Sequence, residues 1–468
     1  MFSEDLSDLL ADLPKPAEEE TEVKRGQNGS LVSATLSQLV RILTDEREIA
    51  RDDLTDLVDT FFLFFRSFCK SPATLFDLLI QRYYLDVPSD LPKAQSEAWW
   101  VGQQCTKVHV VNMFSIWLEY YWAPATDDAL LKPIQSFMFE TVAKDHTLPE
   151  DLAQLVATPL WECVGGLQIV HNRWLARVTR SSGEAAAVHG PTGFEERLQA
   201  IESMLGPNEA DWIDAGYFRT AGGPEMLARQ LTYIETEYFH TRLPEQLVQF
   251  SNLETQDTRD LWRAFSNALT LWVAKCIVIH NKVLFRAEIM EMFIATAAAC
   301  KRMRNYSSAL AILHGLQMAP IWRLSQTRTL VRLEFQETFS QLTEFLSSDN
   351  NWRRYREELP QNLPAVPIMA VVTRDVAQCR EALDRVSSTV GPPVVGPISL
   401  QYYRNLRRIV RILEDCYASY NLECVDLVYI WLLKQTEDLR DQDYDQYSQY
   451  LMALRFVIRN AQLEDVCR

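Results

Sequence analysis

Positive charge is in deficit in this 468-residue chain: 46 Lys and Arg stand against 63 Asp and Glu, for a formal net charge of -17. A phosphate backbone would be repelled unless a local basic patch overrode that balance, so no nucleic-acid partner is expected. Long apolar runs are missing too. A membrane-spanning helix needs about 20 apolar residues in succession, and the longest candidate, Ala268 to Ile279, is interrupted by Lys275. No integral membrane segment is expected. Nine cysteines without a CxxC pair fit neither a disulfide framework nor a zinc site and read as reduced, mostly buried thiols. The start, Met1-Phe2-Ser3-Glu4-Asp5, is acidic where a signal peptide would be basic, and Cys467 lies too near the end for prenylation. The expected setting is cytoplasmic, with any recruitment to a membrane made through an adaptor.

Signatures of covalent chemistry are equally scarce. No GxxxxGK(S/T), GxSxG, HExxH or GxGxxG motif occurs, so phosphate-cradling loops, nucleophile elbows and zincin helices have no support. The seven histidines are scattered, and His280 and His314 sit in helical segments, where a structural role suits them better than a catalytic one. No cofactor, no metal and no bond-making activity are expected.

What is present is globular: 47% hydrophobic and 23% charged residues, in a chain long enough for two domains and a tail. Residues 1–29 read as an acidic, disordered tail, with Phe2, Leu6, Leu9, Leu10 and Leu13 set among acids before Pro14, Pro16 and Glu18-Glu19-Glu20. Apolar residues then recur at three and four, as in Leu36, Leu39, Val40, Ile42 and Leu43, or Leu75, Leu78 and Leu79, which predicts a helical domain over residues 30–180. The stretch SSGEAAAVHGPTG at 181–193 opens a linker drawn to residue 215. Helical periodicity resumes in Leu227 to Phe239, Leu261 to His280, Ile289 to Met303, Ser307 to Met318, Thr329 to Leu346 and Arg404 to Cys416, giving a second domain over 216–468. Alternating strand patterns are scarce. The fold class expected is all-α, with two helical domains.

One block carries more than periodicity. In PEMLARQLTYIETEYF, residues 224–239, Leu227, Leu231, Ile234 and Tyr238 share a face while Glu235 and Arg229 lie elsewhere on the helix. This block resembles the opening helix of the catalytic domain of Ras-family guanine-nucleotide exchange factors. Further blocks follow in that family's order. FIATAAACKRMRNYSSALAI at 293–312, Gly315-Leu316, then Ala319-Pro320-Ile321-Trp322-Arg323-Leu324 with Thr327, are each similar to a family motif. So are Tyr355-Arg356 with Leu359, Val366-Pro367, and Tyr420-Asn421-Leu422-Glu423. In the first half, Phe61 to Phe68, Leu75 to Arg82 and Val111 to Trp122 resemble the Ras exchanger motif, although Phe64-Phe65 stands where Thr-Tyr is usual.

The resemblance implies an N-terminal exchanger-motif bundle packed on a larger catalytic domain, from which a helical hairpin protrudes. The partner implied is a Ras-family small GTPase, nucleotide-free or GDP-bound. Its nucleotide would be released by wedging the hairpin between the two switch loops, so that GTP can load. The hairpin is expected from about Pro367 to Tyr420, with its bend in GPPVVGP at 391–397, where proline and glycine cannot continue a helix.

Matched by position, the resemblance assigns exchange to Ala377, Glu381 and Arg323. Ala377 would face the magnesium site without offering an oxygen ligand, Glu381 would reach toward the P-loop region, and Arg323 would contact switch II. GTPase contact is expected from Arg323, Val372, Thr373, Arg374, Asp375, Arg404, Arg407 and Arg408. Asn305 and Tyr306 are expected to hold the core. The hairpin also departs from the family: Arg380-Glu381-Ala382-Leu383-Asp384 replaces E-E-G-N-P, Ala370 replaces a glycine and Val372 an aromatic. Those departures keep open a second reading, a scaffold that binds small GTPases without emptying them.

Overall fold

The computed structural model describes residues 23–27, 29–49, 54–85, 96–148, 215–240, 243–248, 257–361, 364–387, 397–417 and 420–466. The stretch 181–193, read as the start of a linker, and residues 1–22 of the tail lie outside the described residues. The chain forms two compact units, Met1–Ala186 with Asp375–Arg411 and Ala187–Arg374 with Ile412–Arg468.

The first unit opens on two antiparallel strands, β1 (Val23–Arg25) and β2 (Leu31–Ala34). Sequence reading places Val23–Arg25 in the tail, but the three residues pair with β2 across a turn closed by Gly29, whose φ of 80° suits glycine. Helices follow: α1 (Leu36–Thr44), α2 (Leu54–Phe68), α3 (Pro72–Tyr83), α4 (Ser96–Tyr120) and α5 (Leu131–Glu140). Helix α1 starts where Thr35 accepts a hydrogen bond from Gln38 N, and α3 where Ser71 accepts from Ala73 N ahead of Pro72. Their apolar stripes meet α2 and α4 in a core of Phe61, Phe62, Phe65, Phe114, Trp117 and Phe137. The buried Asp127 carboxylate is paired with Arg66 and also accepts from Trp117 Nε1 at 2.9 Å.

The second unit contains α6 (Gly223–His240), α7 (Asp257–Val278), α8 (Val283–Arg302), α9 (Tyr306–Gln317), α10 (Ala319–Trp322), α11 (Leu333–Phe345) and α12 (Arg353–Glu358). Leu227, Leu231, Ile234 and Tyr238 of α6 are buried, as their spacing predicts. Glu235 is buried beside them, its carboxylate held by Trp262 Nε1 and by Ser307 Oγ at 3.0 Å. Asn305 caps α9, accepting from Ser308 N at 3.0 Å, and Tyr306 is buried with its hydroxyl donating to Glu358 at 3.0 Å.

The two arms of the expected hairpin are α13 (Met369–Ser387) and α14 (Leu400–Cys416). Of the expected bend, residues 391–396 lie outside the described residues. Strand β3 (Ile398–Ser399) precedes α14 and pairs antiparallel with β2, Ala34 opposite Ile398 and Ser33 opposite Ser399. Helices α15 (Asp426–Glu437) and α16 (Tyr444–Val466) complete the chain. The fold is all-α, and among the described residues the only sheet is this small three-stranded one. Among the described residues no helix is long and apolar enough to cross a membrane.

Candidate functional site

The lead-in to α13 is fastened before the helix begins. Val366 exchanges backbone hydrogen bonds with the turn between α8 and α9, donating to Arg304 O at 3.0 Å and accepting from Tyr306 N at 3.1 Å. Two residues on, Ile368 N donates to the buried hydroxyl of Tyr355 at 3.0 Å. Tyr420 closes the same junction by donating to Met303 O at 2.8 Å. Helix α13 therefore leaves the core from a rigid base.

Along α13, Val371, Val372 and Val376 are buried, whereas Ala370, Thr373, Arg374, Ala377, Gln378 and Glu381 are exposed. Spacings of three and four put those six residues on one stripe. Two expected contact residues, Thr373 and Arg374, and two expected exchange residues, Ala377 and Glu381, are thereby brought to a common solvent face. Val372 is instead turned into the core with Val371 and Val376, because the helical period places it there, and Asp375 is half-buried between the two faces.

The second arm is committed differently. Arg404 and Arg407, both expected to contact a partner, are ion-paired with Asp56 of α2, and Arg407 also lies 3.7 Å from Asp59. The Arg407 side chain is almost fully buried, and Arg404 Nη1 donates to Leu31 O at 2.7 Å. Arg411 adds a 3.4 Å contact to Asp59, and the Tyr403 ring lies between Phe64 and Phe68, with centroids at 5.4 and 5.1 Å. Arg408 is the exposed member of the series. Tyr402 meets the first arm through a hydrogen bond with Arg380; burial raises its phenol pKa and Arg380 opposes the shift.

Arg323 caps α10 and is exposed, its Nη1 lying 3.4 Å from Met452 Sδ. Beside it Trp322 is half-exposed beneath the Arg328 guanidinium, 4.2 Å from the ring centroid. A second such stack pairs Trp352 with Arg374 at 5.2 Å. Neither tryptophan was singled out from sequence. The available signal was an aromatic beside arginine at a helix boundary, which periodicity does not rank. Among the described residues no group of three or more His, Cys, Asp or Glu could hold a metal ion.

Comparison with known families matches residues 30–137 to the RasGEF N-terminal motif and residues 226–394 to the RasGEF domain. The second match contains Arg323 and the whole exposed stripe of α13, and the first contains Asp56 and Asp59. Among curated relatives, Ras guanine nucleotide exchange factor A of Dictyostelium discoideum is 26% identical over 95% of this chain and 68% of its own length. Ras guanine nucleotide exchange factor efc25 of Schizosaccharomyces pombe is 26% identical over 75% of the chain and 32% of itself. Ras-specific guanine nucleotide-releasing factor RalGPS1 of Gallus gallus is 25% identical over 51% of the chain and 41% of itself. The chain thus spans less than half the length of the last two.

Proposed function

Carrying a RasGEF N-terminal motif and a RasGEF domain, the chain belongs to the family of Ras guanine-nucleotide exchange factors, and we propose that it speeds GDP release from a Ras-family small GTPase by inserting the α13–α14 hairpin between its switch loops. A small GTPase grips its nucleotide through P-loop amides, a lysine on the phosphates, bound magnesium and the switches. A protein that binds the empty form more tightly must weaken nucleotide binding by the same factor, and refilling by the more abundant GTP follows.

The observation that carries this reading is the exposed stripe of α13, with Ala377 at its centre. A methyl group there brings no oxygen to replace a lost magnesium ligand. One turn further on, Glu381 places a carboxylate where it competes with phosphate for positive charge. Arg323 supplies donors for switch carbonyls or carboxylates. The contacts of Arg404, Arg407 and Arg411 with Asp56 and Asp59 support a bracing role for α2, since a wedge that bends would spend its binding energy on itself. The setting proposed is the cytosol, with delivery to a membrane-bound GTPase through an adaptor.

The test is release of labelled GDP from purified Ras, Rap and Ral proteins with and without the chain. Acceleration on at least one of them supports exchange. Binding to the empty GTPase without acceleration would favour the scaffold reading, for which the replaced family residues at Ala370 and Val372 argue.

A further inference from the structure

Trp352 occupies the left-handed backbone region, at φ 53° and ψ 41°. It is the last of three consecutive residues with positive φ, after Asn350 at 51° and Asn351 at 59°. Asparagine visits this region readily, because its short side chain can hydrogen-bond locally; tryptophan has no such compensation, and its Cβ crowds the following carbonyl. Strain of this kind persists only where the surroundings impose it. Here they do. Arg356 Nε donates to Asn351 O at 2.8 Å, Asn351 N donates to Ser348 O at 3.2 Å, and Trp352 O accepts the first hydrogen bond of α12 from Arg356 N at 3.0 Å.

The strained backbone delivers the half-buried indole to Arg374, whose guanidinium lies 5.2 Å from the ring centroid. Arg374 belongs to the exposed stripe of α13 and, among the described residues, has no ion-pair partner. A guanidinium stacked on a ring keeps its in-plane N–H donors available, and stacking removes the rotamer freedom that docking would otherwise have to remove. The result is a preset fork of donors that, among the described residues, has no acceptor of its own.

We propose that Trp352 is a positioning residue that holds Arg374 as the charge-reading contact of the hairpin, selecting GTPases that set a carboxylate opposite it. The inference rests on the exchange reading above, and the experiment separates the two. GDP release is measured against GTPase concentration, at low and high salt, for the full chain and for Arg374→Met, Trp352→Gly, Trp352→Phe and the Arg374→Met/Trp352→Gly pair. Glycine removes the ring and relieves the backbone strain together, so loss of folding does not obscure the result. On the preferred GTPase, Arg374→Met and Trp352→Gly are each expected to raise KM about fivefold with kcat unchanged, and to flatten its salt dependence. The double variant is expected to be no worse than either single one, and Trp352→Phe to restore most of the loss. Additive effects, or a salt response that Trp352→Gly leaves intact, overturn the inference while exchange stands. A full chain that accelerates release from no GTPase overturns the exchange reading and this one with it.

Discussion

The buried guanidinium of Arg407 is ion-paired with Asp56, joining the second arm of the hairpin to helix α2. Breaking such a pair from one side leaves a desolvated charge, which costs far more than the pair contributes. Asp56→Ala is expected to destabilise the first unit by about 3 kcal/mol and to slow GDP release, whereas Asp56→Leu combined with Arg407→Met should recover most of the stability. Urea unfolding of the three proteins checks this; equal midpoints for the single and double variants would contradict it.

Ala377 tests the wedge itself. Ala377→Asp puts an oxygen ligand on the exposed stripe and is expected to cut the release rate at least tenfold, about 1.4 kcal/mol of transition-state stabilisation, while Ala377→Leu is tolerated. Arg323→Ala should show a marked loss and Glu381→Ala a smaller one. Unchanged rates in all of these variants would move the contact surface elsewhere on the protein without touching the fold.

Glu235 predicts a pH dependence of stability. Burial raises its carboxyl from the ordinary 4.5 to about 7, against the opposing hydrogen bonds from Trp262, Ser307, Ser308 and Ser266. The folded chain therefore keeps this proton where the unfolded chain has released it. The stabilisation is complete below about pH 4.5 and is lost as the pH rises through 7. Between pH 5 and pH 8 the second unit should lose on the order of 2 kcal/mol from this group. Glu235→Gln should flatten that slope, measured as urea midpoints across the range.

Gly315 sets how closely α9 approaches α7. A Cβ at this position would lie 2.7 Å from Thr270 O and 2.8 Å from Val273 Cβ, and neither can retreat from a packed helix. Gly315→Ala is expected to cost about 1–3 kcal/mol, read as a lower thermal midpoint. A midpoint equal to that of the parent would show that the two helices can separate freely.

Much of this was legible in the residues. The three-and-four periodicity located the helices, and ordered blocks such as PEMLARQLTYIETEYF pointed to the family that the comparisons then supported. What stayed hidden was long-range. Val23–Arg25 carries no strand pattern of its own and becomes a strand because β2 offers it an edge. Arg407 and Asp56 are 351 residues apart, so nothing local distinguishes Arg407, which is buried, from Arg408, which is exposed. Glu235 lies off the apolar face of its helix, and a helical wheel does not reveal its burial because it does not count the serines that α9 brings to it. On α13 the resemblance places both Val372 and Ala377 at the partner surface, and it is the helical period, seen against the neighbouring core, that buries Val372 and exposes Ala377.

The central claim is a difference in affinity, and it is tested most directly by titrating the purified chain against one Ras-family GTPase in its empty and GDP-loaded forms. The account predicts binding to the empty form tighter by at least tenfold, reversed by excess GDP or GTP. Equal affinity for both forms would contradict it, since a ligand that does not distinguish two states cannot shift the balance between them.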